Sequence, residues 1–235
     1  MNTDEFIQQQ WIQQSNRIVR RPGHRIKLNF SEKQFTELLK IRAQDVMLNR
    51  NILQDFIIDN NNQTAIQQLF LYVIASEHFK GDLGKGIMLI GPYGTGKTIL
   101  LTALCRIIND KGQNMKMDYL DPPPIVRIKT SRGIVDETVS PDQENGYPVF
   151  PFRKYASGGL FLDDLGKDEE KINVYGTVFH LIADLLAARY DRGSWTFATS
   201  NFNLDSLTEK YGGSIGERMK EIFNIIVLSG TSRRV

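Results

Sequence analysis

Three short stretches of this chain have residue types and spacings that could do chemistry. Gly91-Pro92-Tyr93-Gly94-Thr95-Gly96-Lys97-Thr98 fits G-x-x-x-x-G-K-[ST], a loop whose backbone N–H groups wrap phosphates, whose lysine reaches the β- and γ-phosphates, and whose hydroxyl takes one position on Mg²⁺. These eight residues, with Ile99 after them, are therefore expected to hold a nucleoside triphosphate, with Lys97 also serving the reaction and Thr98 the metal. Gly159-Leu160-Phe161-Leu162-Asp163-Asp164-Leu165-Gly166 is an apolar run ending in two acids. A triphosphate-bound Mg²⁺ keeps several waters, so the protein must bring a carboxylate to the end of a neighbouring strand, beside Thr98. Asp163 fits that role, and Asp164 that of the base polarising the attacking water. Ser194-Trp195-Thr196-Phe197-Ala198-Thr199-Ser200-Asn201 is another apolar run with a small polar end, and delivers Asn201 to the same edge.

These residues need a scaffold that brings strand ends together. Gly86–Ile90 reads as a buried parallel strand, and Thr98–Asn109, with Ile99, Leu100, Ala103, Leu104, Ile107 and Ile108 at helical spacing, as the helix after it. A strand feeding a glycine loop that opens a helix sets the helix N-terminus on the phosphates. Further strands are expected at Met115–Leu120, near Gly159–Asp163, at Ser194–Asn201 and at Asn224–Leu228. The expected fold is an α/β P-loop fold of about five parallel strands between helices, with little or no C-terminal lid.

Ahead of the core, Ser31-Glu32-Lys33-Gln34 has the capping-box pattern and starts a helix through Phe35, Leu38, Leu39 and Ile41. Helices are also expected over Asn51–Ile58, Thr64–Phe79, Val174–Tyr190 and Leu204–Tyr211, with another from Gly216. Residues 1–58 are read as a small helical N-terminal region and 59–235 as the nucleotide core. From Phe6 through Ser31 there is no acid while Arg17, Arg20, Arg21, Arg25 and Lys27 accumulate, which suits either an arm on nucleic-acid phosphates or a solvated leader. Residues 122–159 read as irregular, with Arg127, Lys129, Arg132, Arg153 and Lys154 interleaved with Phe150, Phe152 and Tyr155. That pattern suits a grip on single strands by phosphate contacts and base stacking, or an ordinary loop.

Composition narrows the class. The chain has 235 residues, 41% hydrophobic and 24% charged, with a net charge of +2, in the range of a globular domain. One cysteine, Cys105, excludes an internal disulfide, and no Cys/His cluster has zinc spacing. The acidic start and the lack of a membrane-length apolar run point to a cytoplasmic protein. No Asn-Lys-x-Asp element occurs, which counts against a GTPase.

With these pieces in order the chain resembles the AAA+ ATPases of the DnaC/IstB group, the bacterial helicase loaders and transposase-helper ATPases. The resemblance runs from about Asn60 to Arg234 on GPYGTGKT at 91–98, LFLDDLG at 160–166, Thr199-Ser200-Asn201, GERM at 216–219 and GTSRR at 230–234. It implies ATP hydrolysis with Mg²⁺ in a homo-oligomer with shared sites. Asn201 would be sensor 1, Arg218 the arginine finger acting on a neighbour's nucleotide, and Arg234, or Arg233, sensor 2. It further implies DNA, single-stranded for preference, and a replicative helicase or a transposase as partners, helicase loading being favoured. The competing class is a nucleotide-gated binding module with negligible turnover.

Overall fold

The structure is a computed structural model that describes residues 25–112, 125–139, 152–169, 171–174 and 177–233, together with Glu5 and Gln8. Helix α1 (Glu32–Leu48) opens on the expected capping box. The Ser31 hydroxyl accepts from Gln34 N–H at 3.2 Å, and Gln34 Oε1 accepts from Ser31 N–H at 2.9 Å. No helix forms over Asn51–Ile58. Asn51 turns the chain at φ 56°, and the Gln44 side chain holds the segment open by accepting from Phe56 N–H at 2.8 Å and donating to Gln54 C=O at 3.0 Å. Helix α2 (Gln63–Val73) is shorter than expected because Ala75, at φ 51°, turns the chain, and His78 lies in the turns beyond.

Strand β1 (Gly86–Ile90) leads through the glycine loop into α3 (Lys97–Gly112). The strand expected at Met115–Leu120 lies outside the described residues. The stretch read as irregular instead contains β2 (Val126–Thr130), α4 (Ser131–Val139) and a single turn, α5 (Phe152–Tyr155). After β3 (Gly159–Asp163), the long helix expected from Val174 is replaced at its start by an antiparallel ribbon, β4 (Ile172–Val174) and β5 (Thr177–Phe179). The ribbon is rich in β-branched residues, which favour strands. Helix α6 (Leu181–Asp191), β6 (Thr196–Ser200), α7 (Leu204–Tyr211), α8 (Gly213–Ile222) and β7 (Phe223–Val227) complete the chain.

The five long strands are parallel in the order β2-β3-β6-β1-β7. Register aligns Leu162 with Ala198, Ala198 with Met88, and Met88 with Ile225. The residues one or two steps on, Asp163, Ser200 and Ile90, therefore end their strands at one edge of the sheet. Side chains alternate between two buried layers, as the two-residue strand period requires. Ile87, Leu89, Phe161 and Phe197 face one layer, with Phe35 and Leu39 of α1, Leu69 of α2, and Leu100 and Leu104 of α3. Met88, Leu160, Leu162 and Ala198 face the other, with Leu181, Leu185 and Leu186 of α6, Leu207 of α7 and Met219 of α8. Helix α1 is thus part of the same core as the phosphate loop's helix. Among the described residues no helix is long and apolar enough to cross a membrane.

Candidate nucleotide site

The loop between β1 and α3 turns through Gly94 at φ 76° and Gly96 at φ 93°, backbone angles that a side chain would strain. A Cβ on Gly96 would meet nothing within 4 Å, so the loop is open there. Lys97 is 5% exposed. Its Nζ donates to Gly91 C=O at 2.8 Å, to Pro92 C=O at 2.7 Å and to Asn201 Oδ1 at 2.8 Å. Thr95 is buried and its hydroxyl donates to Pro92 C=O at 3.0 Å, while Tyr93 projects into solvent. Ile99 is partly buried against the core at the first turn of α3.

Across the sheet edge, Asp163 at the end of β3 is 6% exposed. Its Oδ1 accepts from Thr98 Oγ1 at 2.7 Å and from Thr199 Oγ1 at 2.5 Å. Burial raises its pKa above the ordinary aspartate value, the neighbouring Asp164 adds to this, and the two hydroxyls and Arg50 work in the other direction. Asp164 takes left-handed backbone angles, φ 57°, and its N–H donates to Thr199 Oγ1 at 3.0 Å. Asn201 Nδ2 donates to Asp164 Oδ1 at 3.4 Å, and Lys167 Nζ lies 2.9 Å from Asp164 Oδ2. The Asn201 amide therefore joins the loop lysine to the second aspartate.

Lys97, Thr98, Asp163, Asp164 and Asn201, expected from three separate stretches, meet at one point. These residues fit a nucleoside triphosphate and its Mg²⁺. The loop can wrap an anion with backbone N–H groups at a helix N-terminus, and the Thr98–Asp163 contact places hydroxyl and carboxylate where a hard cation takes oxygen ligands.

Other expected residues lie elsewhere. Arg218, on α8, does not join this cluster. It pairs with Asp191 Oδ1 at 3.8 Å and lies 5.1 Å from the Tyr190 ring centroid, both on α6. Arg234 is outside the described residues. Arg233 is turned to Asp59, with Nη2 2.7 and 2.9 Å from its two carboxylate oxygens, and its N–H donates to Gly94 C=O at 3.0 Å. That pairing, first of all, lowers the pKa of Asp59.

Among the described side chains, the basic and aromatic stretch does not present the arrangement read from its sequence. Tyr155 is fully buried and donates to Glu137 Oε2 at 2.6 Å, so its ring cannot stack on a base. Lys129 pairs with Glu137, Arg132 with Asp136, and Arg127 donates to Ser157 C=O at 2.5 Å. Phe150 lies outside the described residues, as does the arm over 9–24. Arg25 at the arm's end holds Gly84 C=O at 2.7 Å and Gly193 C=O at 2.9 Å.

Two residues of the site escaped the sequence reading. Thr199, present there only in a strand end and in the Thr199-Ser200-Asn201 mark, orients both aspartates, and Lys167 has no role there. Their signal was the small polar pair before Asn201 and a lysine three positions from Asp164.

The sheet order, the phosphate loop after β1 and the acid-ended β3 define the AAA+ P-loop fold. The chain is similar to the DnaC/IstB group of AAA+ helicase-loader ATPases. It is 25% identical over 185 residues to the replicative helicase loader DnaI of Bacillus subtilis (strain 168), covering 79% of this chain and 54% of that protein. It thus spans about half the length of the curated relative it matches. A crystal structure of DnaI superimposes with a TM-score of 0.55 at 22% identity, over 84% of this chain and 93% of that one. The DnaC helicase loader does so with 0.50 at 19%, over 74% and 93%. The replication initiator DnaA bound to AMPPCP and single-stranded DNA gives 0.51 at 19%, over 75% and 49%. No protein-family model matches the chain.

Proposed function

We propose that this chain binds and hydrolyses ATP with Mg²⁺ and serves DNA replication as an oligomeric helicase loader. The observation that carries the reading is the joined cluster in which Thr98 touches Asp163 while Asn201 bridges Lys97 and Asp164. When bound, Mg²⁺ would neutralise charge on the β- and γ-phosphates. In this reading the loop N–H groups and Lys97 hold the phosphates, Thr98 and Asp163 hold the metal, and Asp164, with Asn201, orients the attacking water and takes its proton. Arg218, whose contacts are with α6, is assigned to the site of a neighbouring copy. Arg234 is assigned to the nucleotide of its own subunit. The similarity to a replicative helicase loader supports a helicase as protein partner. Single-stranded DNA as the nucleic acid is in line with the DnaA neighbour bound to it, and residues 1–58 are proposed as the contact region. A cytoplasmic location goes with that role.

The test is nucleotide binding and turnover with and without single-stranded DNA. Lys97→Ala should lose binding, whereas Asp164→Asn and Arg218→Ala should bind ATP and lose turnover by roughly a hundredfold or more. If both of the latter turn over ATP at the wild-type rate, hydrolysis by this machinery is wrong and a nucleotide-gated binding module takes its place. A DNA affinity that ignores both nucleotide and salt would remove the nucleic-acid role.

A further inference from the structure

One cation at the site has no part in the reading above. Lys167 closes the turn after the two aspartates, its N–H donating to Asp164 C=O at 3.1 Å. The turn is pinned on several sides. Leu165 N–H donates to Thr199 C=O at 2.8 Å, Ser200 Oγ donates to Leu165 C=O at 2.7 Å, and Gly166 N–H donates to the Tyr211 hydroxyl at 2.9 Å. Against that fixed backbone the Lys167 side chain is 36% exposed. Its Nζ lies 2.9 Å from Asp164 Oδ2 and 5.1 Å from the ring centroid of Tyr93, in the middle of the phosphate loop. The ammonium therefore sits between the second acid of β3 and the loop that wraps the phosphates.

We infer that Lys167 senses the triphosphate from within its own subunit: its ammonium passes from Asp164 Oδ2 to the terminal phosphate, and in passing frees that oxygen for a water. The inference rests on the nucleotide reading above. A terminal phosphate offers more charge and more acceptor oxygens than a carboxylate, so it wins the cation. A lysine, with a flexible stem and three donors, exchanges partners without moving its backbone. The Tyr93 ring faces the ammonium and favours a cation beside the loop. A diphosphate lacks the attracting group and leaves Lys167 on Asp164. The site thereby couples recognition of the third phosphate to release of the group that handles water.

The test is equilibrium binding of AMPPCP and of ADP, each with Mg²⁺, to the full chain and to Lys167→Met, Lys167→Arg and Lys97→Ala. Lys167→Met should weaken AMPPCP by roughly five- to tenfold, the worth of a partly exposed charge-assisted hydrogen bond. It should change ADP by less than about twofold, and Lys167→Arg should restore most of the loss. Lys167→Ala, read in the same way, stands in if the methionine variant unfolds. Equal weakening of both nucleotides, or of neither, overturns the inference while Lys97-dependent binding in the wild type leaves the nucleotide site standing. If Lys97→Ala binds both nucleotides as tightly as the wild type, the site reading falls and this inference with it.

Discussion

Thr199→Val tests how the two aspartates are aimed. Thr199 is fully buried, and its hydroxyl both donates to Asp163 Oδ1 at 2.5 Å and accepts from Asp164 N–H at 3.0 Å. Valine keeps the shape and removes both contacts. The bond to the carboxylate is worth about 1.5–3 kcal/mol, and an orphaned buried N–H costs about 1–3 kcal/mol more. Asp163 keeps the Thr98 hydroxyl and the new methyl gains from burial, so a net loss near 3 kcal/mol is expected. For a chain of this size each kcal/mol moves Tm by about 2–4 °C, giving a fall of roughly 6–12 °C. Thermal unfolding followed by circular dichroism in chelator reads this directly. The same change removes one of the bonds that oppose burial at Asp163, so its carboxyl is pushed further up and Mg–ATP affinity should fall as well. A variant that melts within about 2 °C of the wild type and binds Mg–ATP equally well would refute the idea that Thr199 holds these acids.

Three further outcomes follow from packing and charge. Arg189 is fully buried and donates to Thr196 Oγ1, to Gly158 C=O at 2.8 Å, to Trp195 C=O at 2.7 Å and to Tyr155 C=O; Arg189→Met, which strands these acceptors, should cost about 3–5 kcal/mol by urea unfolding, and a loss below about 1 kcal/mol would contradict it. Glu137 is held down to about 2, first by Lys129 and then by the Tyr155 hydroxyl, so its contribution is complete above its ordinary value of 4.5 and is lost as pH falls toward 2. Glu137→Gln should therefore destabilise by about 1 kcal/mol at pH 7, discounted for partial exposure, and converge with the wild type in urea titrations only near pH 2 and below. A Cβ on Gly94 would lie 2.2 Å from Ser232 Oγ at φ 76°, so Gly94→Ala should displace the C-terminal segment and weaken nucleotide binding more than it lowers Tm, a balance that paired calorimetry and melting would check.

What could be read from the chain was what chemistry constrains locally. The phosphate loop, the acid pair and Asn201 were legible because their types and spacing follow the pattern that a bound phosphate would demand, and α1 because its cap is built from residues three apart. The segment over 51–58 was misread because Ile52, Phe56 and Ile57 mimic a helical stripe, although Leu53 is 86% and Ile57 60% exposed. Strand β2 has only Val126 fully buried, so an edge strand held by pairing with β3 looked like a loop. The ribbon before α6 was hidden by apolar residues whose period suits either state. Contacts between residues far apart in sequence, such as Asp59 with Arg233, leave no local pattern.

The pairing of Arg233 with Asp59, and of its N–H with Gly94 C=O, ties the far end of the described chain to the crest of the phosphate loop. Anything joined to the polypeptide after this point begins its path at the rim of the candidate nucleotide site. A purification handle placed there would be an uninvited neighbour of the phosphate loop, whereas a domain fused there by design would stand close enough to report on the occupancy of that loop.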